Sequence, residues 1–324
     1  MIFAAISLVL SAVLAAQGAA YSVRPGTGEV SAGLVERVDR VVGERLAALR
    51  PEFPGLVPAP FTVVLHGRAE DLPPDLQRAR HAGAPGFALL GRHEVHLIVD
   101  DMRRSGAKLE DVVAHELVHE LLDQYAGPSG RFVPRWFHEG LAQHLAGDTY
   151  LGAREEDLVW RIGLYRLPSF EELRTDFPPD EEGLRVAYAK SYSFVSWLVR
   201  EFGLGTVIGL AKRVDDHTSL ERALVMATQR TTLELDDSWR NYLRFGSGAW
   251  WRVLFAQCFD LLMLLSLPAL LIAVLRRRAR ARAIGRRMAE REAMFPHEFE
   301  LEQRATEPAQ DPGEGIGAPP PEAR

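Results

Sequence analysis

The segment that most constrains this chain is VLFAQCFDLLMLLSLPALLIAVL, Val253–Leu275. A helix of that length rises about 34 Å, enough to cross a hydrocarbon core of about 30 Å. Trp250 and Trp251 precede it, as interfacial aromatics do, and Arg276, Arg277, Arg278, Arg280, Arg282, Arg286 and Arg287 follow it. The positive-inside rule places that arginine run in the cytoplasm and the residues before the span on the other side. Pro268 predicts a kink, which membrane helices tolerate. Gln257 and Asp260 stand toward the outer end, where they reach interfacial water.

The first twenty residues, MIFAAISLVLSAVLAAQGAA, carry no charged side chain and end in small residues. They read as a signal peptide, cut after Gly18 or Ala20, or as an uncleaved signal anchor. Both apolar segments therefore predict the same arrangement. Residues 21–249 form an extracytoplasmic domain, 253–275 a transmembrane helix, 276–304 a cytoplasmic Arg-rich segment and 305–324 a disordered tail. The location expected is the inner membrane of a bacterial-type cell, crossed once, with the C-terminus cytoplasmic. The tail, EPAQDPGEGIGAPPPEAR from Glu307, is too poor in apolar residues to fold. Contact with anionic lipid is the simplest use for the arginines.

The rest has globular composition, 47% hydrophobic and 25% charged, and a formal net charge of -6 argues against a nucleic-acid partner. A single cysteine, Cys258, excludes a disulfide scaffold and any Cys-rich metal site. Residues 31–50 repeat apolar side chains at helical spacing, and Phe61–Leu65, Phe87–Leu90 and Val95–Val99 read as short strands. Residues 68–85, with three prolines, read as a loop. Helices are expected at Leu109–Ala126, from Pro134 to about Leu145, and over most of the chain to Leu243. A small sheet followed by helices predicts an α+β domain.

The helix at 109–126 carries His115-Glu116-Leu117-Val118-His119. Histidines at i and i+4 lie one above the other, so both imidazoles can reach one metal ion. Glu116 projects beside such an ion, where it can take a proton from water. On the next helix, Pro134-Arg135-Trp136-Phe137-His138-Glu139-Gly140-Leu141-Ala142, Glu139 stands 20 positions after His119. An antiparallel pair of helices would bring Glu139 to the open side of the histidines. Two His, one Glu and a water form the ligand set of a catalytic zinc site.

HELVH followed by W-x-x-E-G-L-A resembles the gluzincin zinc metallopeptidases, especially the peptidase MA-like domains. The pattern is also similar to the thermolysin type and, one residue shorter between second histidine and ligand glutamate, to the zinc aminopeptidases. The resemblance spans about residues 60–215. It implies a zincin-like fold, one Zn²⁺ per chain held by His115, His119 and Glu139, and Glu116 as general base. Ala187-Tyr188-Ala189-Lys190-Ser191 resembles the aminopeptidases' Tyr-x-Lys-Gly stretch, which implies Tyr188 as oxyanion donor, with Tyr192 as substitute; Ser191 departs from the glycine. Their G-x-M-E-N strand, whose Glu holds a free amine, has no acid here in Gly86-Phe87-Ala88-Leu89-Leu90.

The function expected is hydrolysis of peptide bonds in a protein or peptide substrate, as an endopeptidase. Two alternatives stand beside it: a catalytically inactive zincin-fold module that binds peptides, and an aminopeptidase or small-peptide hydrolase. An edge strand near 86–90 or 96–99 could pair with an extended peptide. Gln143, four beyond Glu139, is a candidate for orienting a histidine. Glu120, Asp123, His93 and His96 read as surface residues, and His138 as pointing away from Glu139. The sequence gives no oligomeric state.

Overall fold

The computed structural model describes residues 21–294 apart from 81–82, 148–152 and 165; the N-terminal segment 1–20 and the tail 305–324 lie outside the described residues. In chain order the elements are β1 Tyr21–Pro25, α1 Ala32–Leu49, β2 Phe61–His66, α2 Pro74–Ala79, β3 Gly86–Leu89, β4 Glu94–Ile98, α3 Val99–Ser105, α4 Leu109–Ala126, α5 Arg135–Ala146, α6 Glu156–Leu164, α7 Glu181–Phe202, α8 Leu204–Gly209, α9 Leu220–Thr228, α10 Thr232–Asn241 and α11 Ala249–Met294. The mixed α+β expectation holds. The reading of 68–85 as loop misses the 3₁₀ turn Ala69–Asp71 and the short α2, while β1 and α3 lie in stretches without a periodic signal.

The four strands run in the order β1-β2-β4-β3. β1 and β4 flank β2 in parallel, and β3 closes the sheet antiparallel to β4, with Phe87 opposite His96. Phe61, Val63, Leu65, Val95 and Leu97 alternate onto one face and join the main core with α1 and α4. Val64, His66, His96 and Ile98 occupy the other face and are buried as well. Both ladders of β4 continue past the strand ends, where Pro85 accepts from the Ile98 amide at 2.9 Å and Gly67 from the Asp100 amide at 3.1 Å.

α4 is buried nearly all round, which places it between the sheet and the helical half. Glu120 and Asp123, expected at the surface, are buried on it at 0% and 8% exposure. They hold the β3–β4 turn: Asp123 Oδ2 accepts from the Gly91 amide at 2.7 Å and Glu120 Oε1 contacts His93 Nδ1 at 2.8 Å. His93 belongs to that turn rather than to a strand, with φ of 56°. Burying an acid is costly unless it is hydrogen-bonded, and here the bonds fix the edge strand against α4.

α5 lacks a side-chain cap. Its first two amides donate instead to the carbonyls of Arg174 and Leu173, at 2.7 and 3.2 Å. α5 then packs on α7 so tightly that a Cβ on Gly140 would meet the Ser191 carbonyl oxygen and stand 2.6 Å from Val195 Cγ2. Glycine is required there by close approach of two helices.

The chain divides into two compact units, 1–253 and 254–324. In the second unit the described part is the continuation of α11, whose leucines are exposed along its length and whose interior holds Pro268. Among the described residues it is the helix long and apolar enough to cross a membrane, by length and composition.

Candidate metal site and cleft

α4 and α5 bring the three singled-out residues together. His115 Nε2 and His119 Nε2 are 3.2 Å apart, and Glu139 Oε2 lies 3.3 and 3.6 Å from them. Ligands held at about 2.0–2.1 Å around a tetrahedral ion stand about 3.3 Å from one another. The three atoms thus already have the spacing of one face of such a shell, and these residues form a group that can hold a metal ion. Glu139 Oε2 is also buried, with the two imidazole nitrogens as its neighbours. Two imidazoles and a carboxylate converging on one point are a donor set that suits a divalent cation.

Burial by itself would raise the Glu139 carboxyl, but hydrogen bonds and charge from His115 and His119 override it and hold the group well below the usual carboxylate range. Glu116 differs. Its burial dominates over the neighbouring imidazoles and pushes its carboxyl up. The same side chain accepts from the Ala88 amide on β3, and a Cβ on Gly86 would come within 2.8 Å of its Cγ. The edge strand is therefore moulded to this carboxylate.

These groups open onto a cleft of about 1010 Å³ lined by β3, α4, α5 and the 174–176 segment. Tyr188 reaches the cleft from α7, packed edge-on against Phe177 with ring centroids 5.1 Å apart. Tyr192 is not among the lining residues. Lys190, two residues beyond Tyr188, is turned into the core instead, where Nζ donates to the Pro168 carbonyl at 2.6 Å and sits 3.8 Å from the Phe170 ring centre. Burial lowers its pKa to about 8.

Gln143 is fully buried, and its amide donates to the carbonyls of Glu139 and Tyr188, both at 3.2 Å. It thereby ties the helix of Glu139 to the helix of Tyr188. His138 is buried and lines the cleft with its ring 5.7 Å from that of His119, nearer than its position on the helical wheel implies. Burial, with the charge of His119, pushes it down to about 3. His96 is not a surface residue: it is buried, and its Nδ1 lies 2.9 Å from Nε2 of His66, a residue for which the sequence offered no signal.

The fold is a mixed α+β one, consistent with a peptidase MA-type domain. The chain is similar over residues 103–245 to the Peptidase MA superfamily, a match that runs from the end of α3 past α10 and supports a zincin-like peptidase family. No curated protein matches the chain significantly.

Proposed function

We propose that this protein is a membrane-anchored, zinc-dependent endopeptidase. The observation that carries the reading is the convergence of His115, His119 and Glu139 with Glu116 beside them in an open cleft. His115, His119 and Glu139 would hold the ion, two neutral imidazoles and a carboxylate suiting Zn²⁺. A zinc ion bound there supplies Lewis acidity, lowering the pKa of a water toward about 7 and polarising the scissile carbonyl.

The remaining steps belong to the chain's own side chains. Glu116 takes the attacking water's proton and returns it to the leaving amine; a carboxyl raised by burial is better matched to that exchange than an ordinary one. Tyr188 donates to the developing oxyanion. The edge strand β3 offers its outer backbone groups to an extended peptide. The absence of an acid in Gly86–Leu90 favours internal cleavage over capture of a free amino terminus. We further assign residues 21–249 to the extracytoplasmic side, with 253–275 crossing the membrane and the arginines after it in the cytoplasm.

The test is hydrolysis of an unbiased peptide mixture by the full chain in detergent, wild type beside Glu116→Gln. The wild type should cut internal, N-blocked peptides and stop when the metal is chelated. Glu116→Gln should keep the metal and lose about 10²–10⁴ in rate. Metal without cleavage in either protein would favour a peptide-binding module.

A further inference from the structure

The cleft wall that carries Glu139 holds a cation for which the hydrolysis above has no use. Arg135 stands one turn before Glu139 on α5, and its side chain is only 12% exposed. Its guanidinium lies over the Phe177 ring, 4.5 Å from the centre, and its Nε is 3.5 Å from Glu139 Oε1. Its Nη2 is buried and has no hydrogen-bond partner. A guanidinium carries five donors in a planar fork and cannot give up its charge, so a buried, unfilled donor beside an open cleft calls for an acceptor.

The surroundings point to an anion. The Arg135 amide donates to the Arg174 carbonyl, which joins the two backbones, and both residues line the cleft. Lys108, Arg131 and Arg154 line the same cleft and have no carboxylate within ion-pair distance among the described residues. Of the lining acids, Glu116 and Glu139 belong to the proposed centre and Asp111 faces Arg45 at 3.9 Å, which leaves Asp176. Among the described residues Arg174 pairs only with the exposed Glu171, at 3.3 Å.

We propose that Arg135, flanked by Arg174, forms a carboxylate subsite of the cleft, and that the substrate is a peptide presenting a carboxylate to it. The carboxylate comes from an acidic side chain close to the scissile bond or from the substrate's own C-terminus. The inference rests on reading the cleft as a peptidase site. A bidentate arginine–carboxylate pair supplies both the missing acceptor and a fixed orientation.

Binding decides it without turnover. The full chain carrying Glu116→Gln, in detergent, is titrated by fluorescence anisotropy with labelled, N-acetylated peptides. One set is neutral and C-amidated, a second carries a single Glu moved along that frame, and a third is neutral with a free C-terminus. At least one carboxylate-bearing peptide should bind about tenfold or more tighter than the neutral one. Whether the second or third set gains identifies the carboxylate's source. Adding Arg135→Gln should erase the gain, so that carboxylate-bearing and neutral peptides bind alike; Arg135→Lys should recover part of it. Equal binding of all three sets, no binding by any, or a gain that survives Arg135→Gln would overturn the subsite. The comparison of peptide sets needs no Arg135 variant, so it decides even if that variant does not fold. Lack of metal or of cleavage in the wild type would instead count against the peptidase reading and leave this measurement standing.

Discussion

Among the described residues two histidine pairs bring ring nitrogens within 3.2 Å of each other, and they are built in opposite ways. On neighbouring strands β2 and β4, His66 Nε2 faces His96 Nδ1 at 2.9 Å and the rings stack with centroids 5.2 Å apart. The outer nitrogens point to different places: His66 Nδ1 meets Thr27 Oγ1 at 2.8 Å, and His96 Nε2 stands 3.5 Å from Glu94. On α4, His115 and His119 turn their Nε2 atoms toward one point, and Glu139 arrives there from a second helix. Proximity of two imidazoles is thus a poor sign of a metal site. Convergence of two imidazole nitrogens with a carboxylate on one point is the better one. Adjacent strands set the rings nearly parallel, 22° between planes, whereas a helical turn sets them edge to face at 79° with both Nε2 atoms toward Glu139.

The largest effect should separate the pairs by metal content. His119→Ala or Glu139→Gln is expected to take bound zinc from about one ion per chain to near none, while His66→Gln leaves it unchanged; metal analysis after gel filtration reads both. Zinc loss in His66→Gln with the fold intact would break the distinction.

Acid should act on the strand pair. Burial, then the charges of His96 and Arg24, hold His66 down to about 4, against an ordinary value of 6.5. The unfolded chain therefore binds more protons between these values, and stability is complete above about pH 6.5 and lost as pH falls toward 4. A shift of that size corresponds to about 3 kcal/mol. His96 is lowered in the same direction, burial being the main cause and Glu94 opposing it. Denaturant melts at pH 7 and pH 4.5 should show the loss in the wild type, and a smaller one in His66→Gln. An identical loss in both would show that the pair does not carry the acid response.

A smaller and more local effect sharpens the contrast. Gly140→Ala forces a Cβ against the Ser191 carbonyl, where α5 crosses α7. Overpacking of this kind costs about 1–3 kcal/mol. Because the shift displaces Glu139 and not the sheet, zinc affinity should fall together with the melting temperature while the acid response of His66 is kept. A variant as stable and as tight for zinc as the wild type would mean that α5 has more freedom than this crossing implies.

The site was far more legible in the sequence than the structure that supports it. HELVH fixes its own geometry, since i and i+4 meet on any helix, and the Gly127–Phe132 turn leads directly into the helix of Glu139. α4 begins and ends at the expected residues because apolar side chains surround it and Gly127 stops it. What escaped was everything set by pairing at a distance. β1 is five residues long and identified only by its register with β2. Glu120 and Asp123 look solvated because their partners, His93 and the Gly91 amide, lie about thirty residues earlier. His66 and His96 meet through strand register, which local pattern does not reveal. Arg135 likewise became a candidate once its buried, unfilled donor was visible.

The most direct test of the central claim is anomalous scattering at the zinc edge from crystals of the protein loaded with zinc. The account predicts one strong peak about 2 Å from His115 Nε2, His119 Nε2 and a Glu139 carboxylate oxygen, with none at His66 and His96. A zinc-loaded crystal without density between those three atoms, or with the ion at the strand pair, would contradict it.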